Sequence, residues 1–308
     1  MHLPKLSVLV RPRSVRTYLI LFAMALALPL LILAAISLNR MATLEQEQLE
    51  QRIAIVANDL ARTVDSELEH AVAILETLAT SRALASGSLS IVRDRAQQAL
   101  HTPDAAIFVL DRNSKLLLHT SGSEAPPPVT TDIEGAKRGK TSGAAQISGV
   151  VKDPVTQRHV VNVEVPVVVG KELRHVIGMA IDASFFEKLL QAHRPDKIWI
   201  TGITDGAGMI VARSDRHDEF VGKPLPKELF RQSVTEKGAF KGVSVAGESI
   251  VRVSSRSQRA GWLVSATVPQ WYADKGQRRG RIIAVGQTDR VREVAVHSYI
   301  VIRKRSRV

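Results

Sequence analysis

The sequence predicts an α+β protein with an N-terminal transmembrane helix, a long helix after it and two antiparallel-sheet modules. Three observations lead to this prediction. Residues 17–38 contain no charged residue, residues 41–85 repeat apolar side chains at helical steps, and beyond residue 105 the apolar period falls to two. Of the 308 residues, 45% are hydrophobic, which is enough for packed domains and excludes a wholly disordered chain.

The uncharged segment is predicted to cross a membrane once. Its 22 residues, Thr17 to Leu38, match the roughly 20 residues that a bilayer core requires, and residues 1–16 form a basic stub before it. The positive-inside rule therefore places the stub in the cytoplasm and residue 41 onward outside the membrane. A cleaved signal peptide is the alternative, although the apolar part of such a peptide usually has only about 7–15 residues.

Residues 41–85 are predicted to form one long amphipathic helix, and a second helix near 90–101 completes the segment 41–102. A helix of this length directly after a membrane segment is typical of a stalk through which two copies form a homodimer; an ordinary core helix is the alternative. The apolar positions do not form a strict heptad, so the pairing stays open. The apolar stripe consists of Leu44, Leu49, Ile53, Val56, Leu60, Val64, Leu68, Val72, Leu75 and Leu78.

Two sheet modules are predicted next, over 103–193 and 194–272. The first is expected to contain strands at 105–111, 115–120, 144–151, 158–168 and 173–182 and a closing helix at 183–193. The second is expected to contain strands at 198–204, 209–213, 239–245, 248–256 and 261–268 and a helix at 227–236. Strands that follow one another closely in the chain, with helices beside them, are typical of antiparallel α+β modules.

Positive charge is concentrated at the two ends of the chain. The net charge is +12, yet residues 41–272 hold 27 basic and 27 acidic residues. A nucleic-acid-binding domain would carry its excess charge on the folded body, so no nucleic-acid partner is expected. Basic ends beside an apolar segment instead fit a membrane surface.

The sequence contains no motif for catalysis, for a metal or for a cofactor. It has no cysteine, and its nine histidines show no zinc-binding spacing. No nucleophile elbow of the form G-x-S-x-G is present. The segment RGKTSG at 138–143 resembles the end of a phosphate-binding loop, but its spacing from Gly135 is one residue short. We therefore expect neither an enzyme nor a cofactor.

The two long strands of the first module carry the candidate ligand site. Each has one apolar face, while the opposite face places Arg158, Asn162, Glu164 and Asp182 among small residues. Such a face is either the wall of a ligand pocket or a solvent-facing side, and both interpretations stay open. Arg158 and Asp182 would hold a carboxylate or an amine, and His119 completes the candidate set.

The second module resembles a known family of sensors. The segments ITDGAGMIVARSDRHDEFVGKPLP (203–226) and GAFKGVSVAGESIVRVSSRSQRAGWLVSATVP (238–269) are similar to the double Cache, PAS-like extracytoplasmic domains of bacterial transmembrane receptors such as sensor histidine kinases. The resemblance implies that 103–193 is the membrane-distal, ligand-binding module and 194–272 the membrane-proximal one. Amino-acid-binding members use a spaced Tyr/Arg/Trp/Tyr/Asp set. That set is missing, because no tyrosine lies between Tyr18 and Tyr272, so the sequence does not support an amino-acid ligand.

The resemblance implies a membrane-anchored, extracytoplasmic sensor of a small molecule of unknown class, acting in two-component signal transduction. Such receptors continue into a second membrane helix and an output domain. Residues 273–308 instead have a net charge of +7 and no long apolar run, so we interpret them as a basic tail that is truncated or non-native. One alternative is an adaptor that pairs with a partner receptor. An exported hydrolase is less favoured, because no catalytic motif supports it.

Overall fold

The protein has the predicted α+β architecture with two sheet modules. The computed structural model describes residues 15–100, 102–121, 144–170, 172–236 and 238–275. Within these residues it contains two antiparallel sheets of five strands each, together with helices that precede and follow the strands. The predicted alternation between helical and strand periods is thereby confirmed.

The chain divides into two compact units. One unit, Leu49–Ala273, contains both sheets, and the other consists of Met1–Gln48 and Asp274–Val308. The phosphate-loop-like segment 138–143 and most of the basic stub and tail lie outside the described residues. The candidate site residues and the two modules all belong to the first unit.

The first helix, α1 (Val15–Ala79), is continuous over 65 residues and includes Pro29. It covers the whole of the uncharged segment 17–38, and the side chains of residues 21–37 are exposed. Among the described residues, no helix combines the length and the apolar character that crossing a membrane requires.

A short break separates α1 from two further helices. The backbone of Ser81 is extended, with φ −69° and ψ 135°, and its hydroxyl accepts a hydrogen bond from the Leu84 N–H at 3.4 Å. Ser81 is therefore the N-cap of α2 (Arg82–Ala85), which α3 (Leu89–Ala99) follows. Because an N-cap needs a non-helical backbone, the helix predicted over 41–85 is interrupted at residues 80–81.

The first module is an antiparallel sheet with a helix after its last strand. Its strand order is β2-β1-β5-β4-β3, in which β5 lies between the first and fourth strands. This arrangement places the long strands β4 and β5 side by side at the centre. The elements are β1 (Ala105–Asp111), β2 (Leu116–His119), β3 (Gln146–Lys152), β4 (His159–Val169), β5 (Glu172–Asp182) and α4 (Ala183–His193).

The second module repeats this strand order. Its order, β7-β6-β10-β9-β8, makes β6 the counterpart of β1, β9 that of β4 and β10 that of β5. Two short helices lie between its second and third strands. The elements are β6 (Ile200–Thr204), β7 (Ile210–Arg213), α5 (His217–Phe220), α6 (Lys227–Thr235), β8 (Phe240–Val243), β9 (Ser249–Arg256) and β10 (Leu263–Pro269).

The part of α1 from Ile53 to Leu78 belongs to the core of both modules. Ile53 and Ala57 pack with the inner face of the second sheet, including Val251 and Val253. From Leu60 onward the stripe is buried with the inner face of the first sheet, which includes Val161, Val163, Ile177 and Met179. Since each sheet buries one face on this helix, the opposite, outer faces remain available for a site.

Two carboxylates join separate parts of this unit. Asp205, in the β6–β7 turn of the second module, accepts a hydrogen bond from the Val150 N–H of the first module at 3.1 Å. A side chain at Gly149 would collide with the same carboxylate, so this close approach requires glycine. Asp65 of α1 accepts hydrogen bonds from the Gln258 and Arg259 N–H groups at 2.9 and 3.1 Å.

Candidate functional site

A cavity of about 360 Å³ lies at one end of the outer face of the first sheet. Its polar lining comes from the start of β1, the end of β5 and the β3–β4 turn. The sheet residues that line the cavity are Ala106, Val160 and Ala180. Because their side chains are small, they leave room for a small molecule. The polar residues that line it are Asp104, Ser121, Asp153, Thr156, Arg158 and Asp182.

Asp182 is held rigidly at the junction of β5 and α4. Its Oδ1 accepts a hydrogen bond from the Ser184 N–H at 2.9 Å and so caps α4, a position for which aspartate is a favoured residue. Its Oδ2 accepts a hydrogen bond from Nη1 of Arg158 at 3.2 Å. The side chain of Asp182 is only 14% exposed, whereas that of Arg158 is 66% exposed. The carboxylate is therefore fixed, and its cation is free to move in solvent.

Asp104 places a second carboxylate beside Asp182. Its carbonyl oxygen accepts a hydrogen bond from the Asp182 N–H at 2.7 Å, and its Oδ2 lies 2.5 Å from Nζ of Lys188. The antiparallel register of β1 and β5, which pairs Ala105 with Ile181, brings the two aspartates together. Lys188 is largely exposed, so this ion pair is also open to solvent on the cation's side.

Asp153 is the third carboxylate, and it is buried against His119. Burial would raise the pKa of Asp153, but the close contact with His119 and hydrogen bonds from the Val155 N–H and the Thr156 hydroxyl lower it to about 2. The contact from Nε2 of His119 to Oδ2 of Asp153 is 3.4 Å long, and its geometry leaves Nε2 without a hydrogen bond, so it is chiefly electrostatic. Nδ1 of His119 accepts from the Ser121 N–H at 3.3 Å, which places the proton on Nε2.

Asn162 and Glu164 lie elsewhere on the outer face and do not line this cavity. Glu164 is 8% exposed, its Oε2 has no hydrogen-bond partner among the residues that the structure describes, and burial raises its pKa to about 7. Oδ1 of Asn162 also lacks a partner. Gly178 is paired with Glu164 across β4 and β5, and the ring of Phe108 occupies the space where a side chain at Gly178 would lie.

The five residues predicted from the sequence thus separate into two groups. The structure brings Arg158 and Asp182 together in the cavity, with His119 behind its wall in contact with Asp153. Sequence reasoning missed Asp104 and Asp153, because aspartates next to prolines are usually turn residues. A signal for Asp104 was available, since residues just before β1 and at the end of β5 must be neighbours in an antiparallel pair.

Carboxylates outnumber cations in the lining of the cavity. Among the described residues, no group of three or more His, Asp or Glu side chains is arranged to bind a metal ion. Three carboxylates face one exposed guanidinium and one exposed ammonium group, so the site favours a ligand with a positive charge.

No protein-family model matches the chain, and no curated protein matches it. Solved structures match over most of its length. The ligand-binding domain of the Pseudomonas aeruginosa PAO1 amino-acid chemoreceptor PctB, in complex with L-Gln, is 14% identical with a TM-score of 0.58, and the match covers 73% of this chain and 92% of that domain.

Two further chemoreceptor domains match in the same way. The Pseudomonas fluorescens CtaA domain with L-serine is 13% identical with a TM-score of 0.59, covering 73% of this chain and 98% of its own. The Campylobacter jejuni Tlp3 domain with L-valine is 13% identical with a TM-score of 0.54, covering 76% and 98%. At these identities the likeness concerns the fold, and it confirms the double Cache architecture that the sequence resembles.

Proposed function

We propose that this protein is an extracytoplasmic sensor whose first module binds a small molecule with a positively charged amino group. The observation that carries the proposal is the cavity in which Asp182, 14% exposed, is paired among the described residues with the exposed Arg158 alone. An ion pair with a solvated arginine is worth at most about 1 kcal/mol, so a ligand amine can replace Arg158 at little cost.

Charge complementarity supports a ligand that also carries a carboxylate. Once displaced from Asp182, the Arg158 guanidinium is free to bind a carboxylate through two parallel hydrogen bonds. Asp104 and Asp153 remain beside the amine position and keep the cavity acidic. The chemoreceptor domains with the same fold bind L-Gln, L-serine and L-valine, which are molecules of this type. The missing tyrosines imply that the remaining contacts differ.

Ligand binding would act through the contacts between the modules. A ligand changes an equilibrium only by binding one state more tightly than the other. The β3–β4 turn contributes Asp153 and Thr156 to the cavity, and β3 is tied to the second module through Val150 and Asp205. Closure of this turn over a ligand would therefore move the strand that contacts the second module.

We also propose that residues 17–38 anchor the protein in the bacterial inner membrane, with the sensor unit outside. The support is the uncharged sequence, together with the exposure of large apolar side chains such as Leu26, Leu30 and Leu33 along α1. Pairing of two copies through α1, and a receptor or histidine kinase as the signalling context, complete this proposal. Alkaline carbonate extraction of membranes tests the anchor: a protein released into the wash would contradict it.

Thermal unfolding of the purified full chain in detergent tests the ligand. The probes are L-amino acids, amines without a carboxylate such as ethanolamine and putrescine, and carboxylates without an amine such as lactate. A ligand at 100 times its Kd raises the free energy of unfolding by about 2.7 kcal/mol. We expect stabilisation by compounds with an amine and none by lactate.

Asp182→Asn keeps the N-cap of α4 but removes the negative charge, so it should abolish the response to the stabilising amine. Asp94→Asn, an exposed position on α3, is the matched control and should respond like the unaltered protein. Stabilisation by lactate alone, an equal response of both variants, or no response to any probe would overturn the proposed ligand class.

A further inference from the structure

The second module contains a buried cation for which the described residues supply no matching anion. Arg252, on β9, is 6% exposed, and its guanidinium donates a hydrogen bond from Nε to the Ser254 hydroxyl at 3.3 Å. Burial, followed by the charge of Arg213, lowers the pKa of Arg252 to about 10. The guanidinium therefore stays protonated near neutral pH, and a buried charge without a counter-ion costs several kcal/mol.

Arg213 and Arg252 line one cavity of the second module. Unlike Arg252, Arg213 already has partners for its charge. Its Nε donates to the carbonyl oxygen of Asp215 at 3.0 Å, and its Nη2 lies 3.9 Å from the Asp215 carboxylate. Its guanidinium also lies 5.2 Å from the centre of the Phe220 ring. The charges of Asp215, Glu248 and Glu219 oppose the lowering of the pKa of Arg213, whereas among the described residues no carboxylate does so for Arg252.

The strand register places the hydroxyl groups of serine and threonine residues close to Arg252. Thr267 of β10 is paired with Arg252, and Ser265 of β10 is paired with both Ser254 and Gly202. These residues share the outer face of the second sheet, and the cavity there measures about 30 Å³. A single water molecule needs about 10–15 Å³ of such a volume, so the cavity admits only an ion or molecule of one or a few non-hydrogen atoms.

We propose that this cavity in the second module binds a compact anion, either chloride or a short carboxylate such as formate or acetate, held by Arg252 and the Thr267 hydroxyl. The guanidinium supplies the charge, and Thr267 lies at the paired position across the strands. Residues Leu225, Leu229 and Ile250 line the same cavity and keep out larger, strongly hydrated anions. The anion would neutralise the charge of Arg252 inside the module.

Anion titration of the full chain in detergent tests this site. Sodium gluconate, too large for the cavity, keeps the ionic strength constant while chloride, formate or acetate replaces it. The unaltered protein should show a saturable rise in Tm with at least one of the three anions. A response to chloride but not to the carboxylates identifies a halide site, and the reverse identifies a carboxylate site.

Arg252→Met removes the charge, so the dependence of Tm on the anion should disappear. Arg256→Met is the matched control, because Arg256 lies on the same strand but is exposed and donates to the Gly261 carbonyl at 3.2 Å; it should keep the full response. If Arg252→Met does not fold, Thr267→Val should weaken the apparent affinity by at least about threefold through the loss of one hydrogen bond.

The proposal is overturned if no anion gives a saturable shift, or if the unaltered protein and the Arg252 and Thr267 variants respond alike. Asp182→Asn separates this result from the proposed sensor function. That variant lies in the first module, so it should lose the response to amines and keep the response to anions.

Discussion

The two modules have one strand order and opposite chemistry on their outer faces. In the first, the outer face and its end carry Glu164 and Asp182, while the second carries Arg213 and Arg252. Glu164 and Arg252 lie on corresponding strands, β4 and β9, and both are buried without an oppositely charged partner among the described residues. The shared topology therefore supplies a common platform, and a few side chains give the two outer faces opposite charges.

The difference in cavity size has an equally local origin. In the first module, small residues such as Ala106 and Ala180 leave about 360 Å³ at the end of the sheet. In the second, Leu225 and Leu229 pack against Ile250 of the sheet, and about 30 Å³ remains. Apolar packing from α6 and the segment before it thus accounts for the smaller cavity of the second module.

The largest expected effect comes from removing the buried carboxyl group of Glu164, which distinguishes the first module from the second. Because its pKa is raised from 4.5 to about 7, the folded state holds the proton more tightly than the unfolded state. The free energy of unfolding should therefore fall as pH rises from about 4.5 to about 7, by about 3 kcal/mol, and stay low above that. Glu164→Gln should be more stable than the unaltered protein by this amount at pH 8 and equal to it near pH 4.

Urea denaturation across this pH range measures the effect. Glu172→Gln, an exposed glutamate at the start of β5, is the control and should leave the pH dependence unchanged. An identical pH slope in the unaltered protein and Glu164→Gln would contradict the prediction.

The packing on the two outer faces gives the next effect. Gly178→Ala would place a methyl group where the buried Phe108 ring lies, which should cost about 2 kcal/mol as overpacking. Gly202→Ala on the second sheet meets its nearest atoms at an ordinary 3.5 Å and should cost less than about 1 kcal/mol. Calorimetry compares the two variants.

Adding Phe108→Leu to Gly178→Ala provides the decisive cross-check. If the ring causes the loss, the double variant should be more stable than the sum of the two single losses predicts. Strict additivity would show that the cause lies elsewhere.

A smaller effect of opposite pH sign is expected at Asp153. Its pKa is lowered from 3.8 to about 2, so its contribution to stability is present above pH 3.8 and is lost as pH falls toward 2. Asp153→Asn should cost about 1–2 kcal/mol at pH 7, and the difference should shrink in acid. Acid titration followed by circular dichroism checks this, and a loss that is constant with pH would contradict it.

The smallest effect distinguishes two similar turns. In the first module, Oδ1 of Asp111 accepts from the Asn113 and Lys115 N–H groups. In the second, Oδ1 of Asp205 accepts from the corresponding Ala207 and Met209 N–H groups, but Oδ2 also holds Val150. Both aspartates therefore close a strand–strand turn, and only the second also joins the modules.

Replacement by asparagine keeps one oxygen in each turn. Asp205→Asn should lose about 1 kcal/mol more than Asp111→Asn, because it also loses the bond to Val150. Hydrogen exchange at the Val150 amide should increase in the Asp205 variant alone. Equal exchange in both variants would show that the contact does not protect this strand.

Most strands and the helix over 183–193 were predictable, because the alternation of Val161, Val163 and Val165 reports a buried face directly. The end of α1 was not predictable, because a serine also occurs within helices. Only the structure shows that the Ser81 hydroxyl caps α2. Alternation also placed Arg158 and Asp182 on one face. Arg252 escaped prediction because a charged residue on an outer face is normally solvated, and its burial depends on residues distant in sequence.

Asp205 also determines where the chain tolerates recombination. A hybrid that joins this first module to the second module of another protein would bring β3 against an unfamiliar turn. Gly149 has no side chain to fill the space, so a partner turn without aspartate would leave the Val150 amide unsatisfied. We expect functional hybrids to take residues 149–150 and residue 205 from the same parent protein, although these residues lie in different modules.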